Sequence, residues 1–190
     1  MLRCSSLKYP PIKPNIRPIP KFFITQVEAL EDSPYRMFVA HTGEGGRYAG
    51  YFNCRPSTII KGDDVVKSMY ISEIFSFEPG AGTALLNYAR YLSRINDCDG
   101  NIHLVASGCY APQRVPHLFY RKYGMNTGKK SLDKKMDLFI KKDKTAAVSD
   151  FGNVLMYYPP VAYPKKNTML HKFVRFVQNI FATPQKNMAR

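Results

Sequence analysis

Long apolar runs, paired cysteines and, towards the C-terminus, acidic residues are scarce in this 190-residue sequence. No stretch approaches the roughly 18 apolar residues of a membrane-spanning helix. The opening "MLRCSSLKYPPIKP" lacks the apolar core of a secretion signal, so the expected location is cytoplasmic. The four cysteines, Cys4, Cys54, Cys98 and Cys109, lie far apart, with no C-x-x-C pair and no histidine set beside them. Reduced thiols and no metal are expected. His41, His103, His117 and His171 are equally scattered. None stands in a recognisable pattern with an acid and a Ser or Cys, so packing or solvent roles are expected.

Acids number 14 against 28 basic residues, a net charge of +14. Residues 151–190 hold six Lys or Arg and no acid, and residues 114–144 hold ten basic residues and three acids. Such a field attracts anions, so nucleic acid or an anionic surface is an expected partner of the basic second half. The plain alternative is a charged surface that keeps the chain soluble.

Prolines at 10, 11, 14, 18 and 20 deny residues 1–20 the amide donors of helix and sheet, and predict an extended leader. Then "KFFITQVEAL", "YRMFVAH" and "RYAGYFNC" are aromatic and β-branched runs separated by turn residues, which predicts an antiparallel meander. A fourth run, "KSMYISEIFSF", alternates: Met69, Ile71, Glu73, Phe75 and Phe77 share one face, and Tyr70, Ser72, Ile74 and Ser76 the other. That places one acid in an apolar row. After Gly82 the period changes, because Leu85, Leu86, Ala89 and Leu92 form a helical stripe with Asn87, Arg90 and Arg94 on a polar side. "NIHLVASG" predicts a buried strand, and "QRVPHLFYRKYG" a helix stopped by Gly124.

"DLFIK" predicts a late strand, inside "KSLDKKMDLFIKKDK", which reads as a strand pair with outward lysines; "NVLMYYP" predicts another. Leu170, Phe173, Val174, Val177, Ile180 and Phe181 recur at helical spacing and predict an amphipathic helix over residues 169–183. Docking onto its own domain is its expected fate, with an anionic membrane surface or a partner groove as alternatives. The fold class is α/β (α+β), a mixed central sheet with an antiparallel N-terminal meander, two main helices and that C-terminal helix. Three regions follow: leader 1–20, domain 21–143, and basic extension 144–190.

"FSFEPGAGTALLNYARYL" carries two glycines between a strand and a helix. Such a turn offers free backbone N–H groups and the positive end of a helix dipole, which suits phosphate. A Walker loop would need a lysine after Gly82, and a dinucleotide fingerprint a glycine at Leu85; both are missing. A tight connection with no ligand is the alternative.

"SEIFSFEPGAGTALLNYA", followed by a strand and then "LFYRKYGM", resembles the GNAT acetyltransferase superfamily over about residues 35–141. The family's acetyl-CoA loop, written Q/R-x-x-G-x-G/A, is matched by Phe77, Glu78, Pro79, Gly80, Ala81 and Gly82, with Thr83 opening the helix. The resemblance implies that the backbone of residues 77–83 cradles the pyrophosphate of acetyl-CoA, and that Ile74, Phe75 and Ser76 hold its pantetheine arm. Gln113 stands where the family often has an asparagine, seven residues before Tyr120. Tyr120 matches the tyrosine that protonates the leaving thiolate, and Glu73 the glutamate that some members use as base. The implied reaction is direct acetyl transfer to the amine of a small molecule or protein. An amine of pKa about 10.4 is neutral in only about one molecule in 10³ at pH 7, so a base is needed. A carboxylate in an apolar strand is suited, because desolvation favours its protonated form.

Departures from the family pattern are specific. Phe77 replaces the usual basic or amide side chain, Pro116 a small residue, and residues 27–35 leave no room for the two helices the family places between its first strands. The acceptor site would then draw on the leader or the C-terminal extension. The alternative is a catalytically inactive GNAT-like module that binds CoA, or a polyanion such as RNA, through the basic second half.

Overall fold

Among the described residues six strands pair strictly in chain order. The structure is a computed structural model that describes residues 22–27, 33–43, 46–61, 64–108 and 115–163. Strands β1 (Phe22–Val27), β2 (Arg36–Thr42), β3 (Tyr48–Lys61) and β4 (Asp64–Ser76) form the expected antiparallel meander. Helix α1 (Ala81–Ile95) crosses over to β5 (Ile102–Ala106), which runs parallel to β4. Helices α2 (Pro116–Tyr123) and α3 (Lys130–Lys141) follow, and β6 (Val154–Tyr158) closes the sheet antiparallel to β5. The sheet thus extends past residue 143, the expected end of the domain. Among the described residues no helix is long and apolar enough to cross a membrane. The proline leader, Gln113, Cys4, Cys109, His171 and the C-terminal helix lie outside the described residues.

The helical stripe predicted after Gly82 supplies the core. Leu85, Leu86, Ala89 and Leu92 are buried against Phe38, Phe52, Ile71 and Leu104. Burying such side chains contributes about 1.5–3 kcal/mol each relative to exposure. Helix α2 begins with Pro116, whose missing N–H costs nothing in the first turn, and ends at Gly124 with φ 102°, a left-handed cap that glycine adopts without steric penalty.

Three expectations are corrected. "DLFIK" is the last part of α3, not a strand: Leu132, Met136 and Phe139 fall on one helical face, Met136 is fully buried, and Thr127 N donates to the buried carboxylate of Asp133 at 3.0 Å to anchor the first turn. Strand β3 runs on through Pro56 to Lys61. Proline is tolerated there because pairing with β2 ends at Cys54, leaving β4 as the only ladder. The alternation of β4 breaks at Ser72: Asn53 pairs with Glu73 but Cys54 with Ile71, so one extra residue bulges out. Ile71 and Ile74 therefore both pack on the core, while Glu73 and Phe75 move to the other face beside Asn53 and Tyr51.

On that other face Ser68 Oγ and His103 Nδ1 hydrogen-bond at 2.9 Å, both residues buried. Burial, and secondly the charge of Arg55, pushes the His103 imidazole down to about 4 from an ordinary 6.5. The unfolded chain then takes up a proton below pH 6.5 that the folded chain takes up only near pH 4. Stability from this group is complete above pH 6.5 and is lost as pH falls through that window, by about 3 kcal/mol in full. Melting curves of wild type and His103→Gln should converge by about 2–3 kcal/mol between pH 7.5 and 4.5. A constant gap would mean that another group carries the acid sensitivity.

Candidate functional site

Strands β4 and β5 pair only over Met69–Ile71 with Ile102–Leu104. Beyond Ile71 and Leu104 they share no ladder, although β4 continues to Ser76 and β5 to Ala106. A cleft of about 260 Å³ opens where they part. The bulge at Ser72 falls at the same point, so one irregularity both reverses the side chains of β4 and begins the opening.

One wall is the β4 segment from Ile71 to Ser76, the other is Leu104, Val105 and Ser107, and α2 closes the base with Phe119 and Tyr120. Of the sequence-predicted residues, Glu73, Ile74, Phe75, Ser76, Gly82 and Tyr120 meet in this cleft. Phe77, Glu78, Pro79, Gly80, Ala81 and Thr83 are not part of its lining. The β5 residues, Ser107 and Phe119 were not singled out from sequence. Alternation in "NIHLVASG" signals burial, but nothing in it signals that the strand would leave its partner.

The glycine turn divides its work between two positions. Gly80 caps α1 with φ 87°, a left-handed conformation; no side chain caps the helix and its first turn holds no acid. Gly82 is helical and buried, and a Cβ there would meet Phe119 Cζ at 3.0 Å and Ser76 Oγ at 3.3 Å. The missing side chain therefore lets α2 lie against the first turn of α1. Phe77 N and Glu78 N both donate to Ala49 O, at 2.8 and 3.4 Å, and Ala81 N donates to Glu78 O at 3.1 Å. Among the described residues this leaves Gly80, Gly82 and Thr83 as the turn's uncommitted amides. Phe77 is 57 % exposed, its ring tilted against Tyr48.

Glu73 and Tyr120 are the two titratable side chains among the described residues of the cleft lining. Asn53 Nδ2 donates to Glu73 Oε2 at 3.0 Å, which fixes the carboxylate. Tyr120 is 7 % exposed, and burial alone raises its phenol well above the ordinary 10. It therefore keeps its proton at any working pH. Among the described residues no group of three His, Cys, Asp or Glu is placed to hold a metal.

The order of parts is a meander, a glycine turn into α1, a parallel strand that parts from its neighbour, and a tyrosine-bearing helix ending at a left-handed glycine. This is the mixed α/β architecture that the sequence predicts. Solved structures similar to it include a point mutant of the AtaT toxin bound to the C-terminus of the antitoxin AtaR and acetyl-CoA, at 11% identity over 78% of this chain and 74% of that one, with TM-score 0.37. The same toxin mutant bound to the AtaR C-terminus matches at 10% identity over 88% and 99%, with TM-score 0.43. A KacTA–DNA complex matches at 14% over 80% and 75%, with TM-score 0.41. No protein family and no curated protein matches the sequence.

Proposed function

We propose that the chain is an acetyl-CoA-dependent N-acetyltransferase that transfers the acetyl group directly to an amine. The observation that carries this reading is the cleft itself: a mostly apolar slot between parting strands, next to a helix N-terminus without a side-chain cap, with one carboxylate and one tyrosine as the ionisable groups among its described lining residues. Its residues fit the co-substrate. The amides of Gly80, Gly82 and Thr83, with the helix dipole, suit a pyrophosphate, and the walls from Ile74 to Ser76 suit a thin, partly apolar arm. Acetyl-CoA would supply the activated acetyl thioester.

The chain's own groups supply the proton handling. Glu73, held by Asn53, is placed to accept a proton from an ammonium acceptor. Tyr120 offers its hydroxyl proton to a leaving sulfur. Giving that proton up to a thiolate of pKa about 8.5 would be uphill by about 2 kcal/mol or more. The phenol therefore works by donating a hydrogen bond that strengthens as charge develops on sulfur. The alternative of a polyanion-binding module would need lysines or arginines around a recess, and among the described residues the cleft lining has none.

At about 100 times its Kd, acetyl-CoA should stabilise the folded chain by about 2.7 kcal/mol, a rise of roughly 5–10 °C in Tm. Scanning fluorimetry reads this directly. An unmoved Tm in a folded sample would end the proposal.

A further inference from the structure

All three described helices gather on one side of the sheet. Helix α1 contacts β1, β3, β4 and β5; α2 reaches α1 through Phe119 at Gly82 and through Tyr123, whose hydroxyl donates to Asn87 at 2.8 Å; α3 packs on α2. The opposite face is defined by cross-strand partners: Val39 with Tyr51, Tyr51 with Phe75, Arg55 with Tyr70, and Tyr70 with His103. That face is rich in aromatic and apolar side chains, and no described helix packs on it. Yet Val39 is only 7 % exposed, His103 6 % and Ser68 0 %. An apolar sheet face needs a second layer to bury it.

We propose that residues 169–181 form that layer, lying as a helix across β2 to β5 with Leu170, Phe173, Val174, Val177, Ile180 and Phe181 facing the sheet. Three observations favour this segment. Its apolar stripe spans 11 helical steps, about 17 Å, close to the roughly 14 Å from β2 to β5 at about 4.8 Å per strand. The described chain ends at Tyr163, just after the edge strand β6 and beside Asn126, whose Oδ1 accepts from Val161 N at 2.9 Å. Five residues then reach up to about 17 Å, enough to pass round one sheet edge. Lastly, Lys172 and Arg175 fall away from the stripe, so the outer face of the docked helix would be charged and solvated. The proline leader cannot form such a helix.

The docking does not depend on the acetyltransferase reading. If that reading holds, one consequence follows. Glu73 and Phe75 lie both on this face and in the cleft lining, so the face to be covered reaches the β4 wall of the cleft.

Site-specific photocrosslinking of the full chain at low concentration tests this. Benzoylphenylalanine in place of Phe173 should give intrachain crosslinks to β2–β4 at Val39, Tyr51 or Tyr70 by mass spectrometry. The same group in place of Asn179, on the outer face between Lys172 and Arg175, should lose them. Folding of both variants is checked by melting. Crosslinks to the helical side, to the leader alone or between copies would overturn the proposal, as would their absence in a folded sample. So would replacement of the intrachain products by lipid adducts when phosphatidylserine vesicles are added.

Discussion

Replacing Tyr120 by phenylalanine should lower acetyl transfer about 10²-fold or more while leaving the acetyl-CoA-induced rise in Tm unchanged. The substitution removes one oxygen and keeps the ring against Phe119, 5.4 Å between centroids. Burial is the sole influence on the phenol, with no charge or hydrogen bond acting on it among the described residues, so little stability depends on the hydroxyl. What is lost is a hydrogen bond made when charge appears on sulfur, which lowers kcat and spares ligand affinity. Steady-state kinetics beside a melting titration separates the two. Unchanged kcat with full binding would remove Tyr120 from the chemistry and leave it as a packing residue.

The Gly50→Ala variant should be destabilised by about 3 kcal/mol, a fall of roughly 6–12 °C in Tm. Gly50 sits opposite Ala40 and Ser76 next to a register shift in β2–β3. A Cβ there would lie 2.4 Å from Phe75 O, 3.0 Å from Ser76 Cα and 3.2 Å from Leu85 Cδ1. The first two are backbone atoms that cannot turn aside as a flexible side chain would. Moving them displaces the β4 wall of the cleft, so the stabilisation by acetyl-CoA should shrink in the same variant. A Tm within error of wild type would mean that the strands tolerate a methyl group there.

Element order was largely legible because each run carried its own period and punctuation: alternation in the meander, the stripe from Leu85 to Leu92, Pro116 and Gly124 around α2. The helix α3 was also written in Leu132, Met136 and Phe139, but the short apolar cluster "LFI" among lysines mimics a strand when read alone. The bulge at Ser72 was not legible, because one inserted residue leaves the alternation of letters intact and shifts only the partner. For the candidate site, the helix-opening position of the glycine turn could be read from the change of period, whereas Tyr120 was named only through the family resemblance. The role of Gly82 could not: its small size accommodates Phe119, a residue 37 positions away whose proximity only the fold creates.

The end of the β4–β5 ladder at Ile71 and Leu104 has a bearing on how freely this sequence can drift. A slot made by two strands ceasing to pair is specified by main-chain direction and by where hydrogen bonding stops. Many apolar side chains can coat such walls without altering its course. Selection on the slot would therefore act on register and on a few steric positions such as Gly50 and Gly82, leaving most of the surrounding alphabet open to exchange.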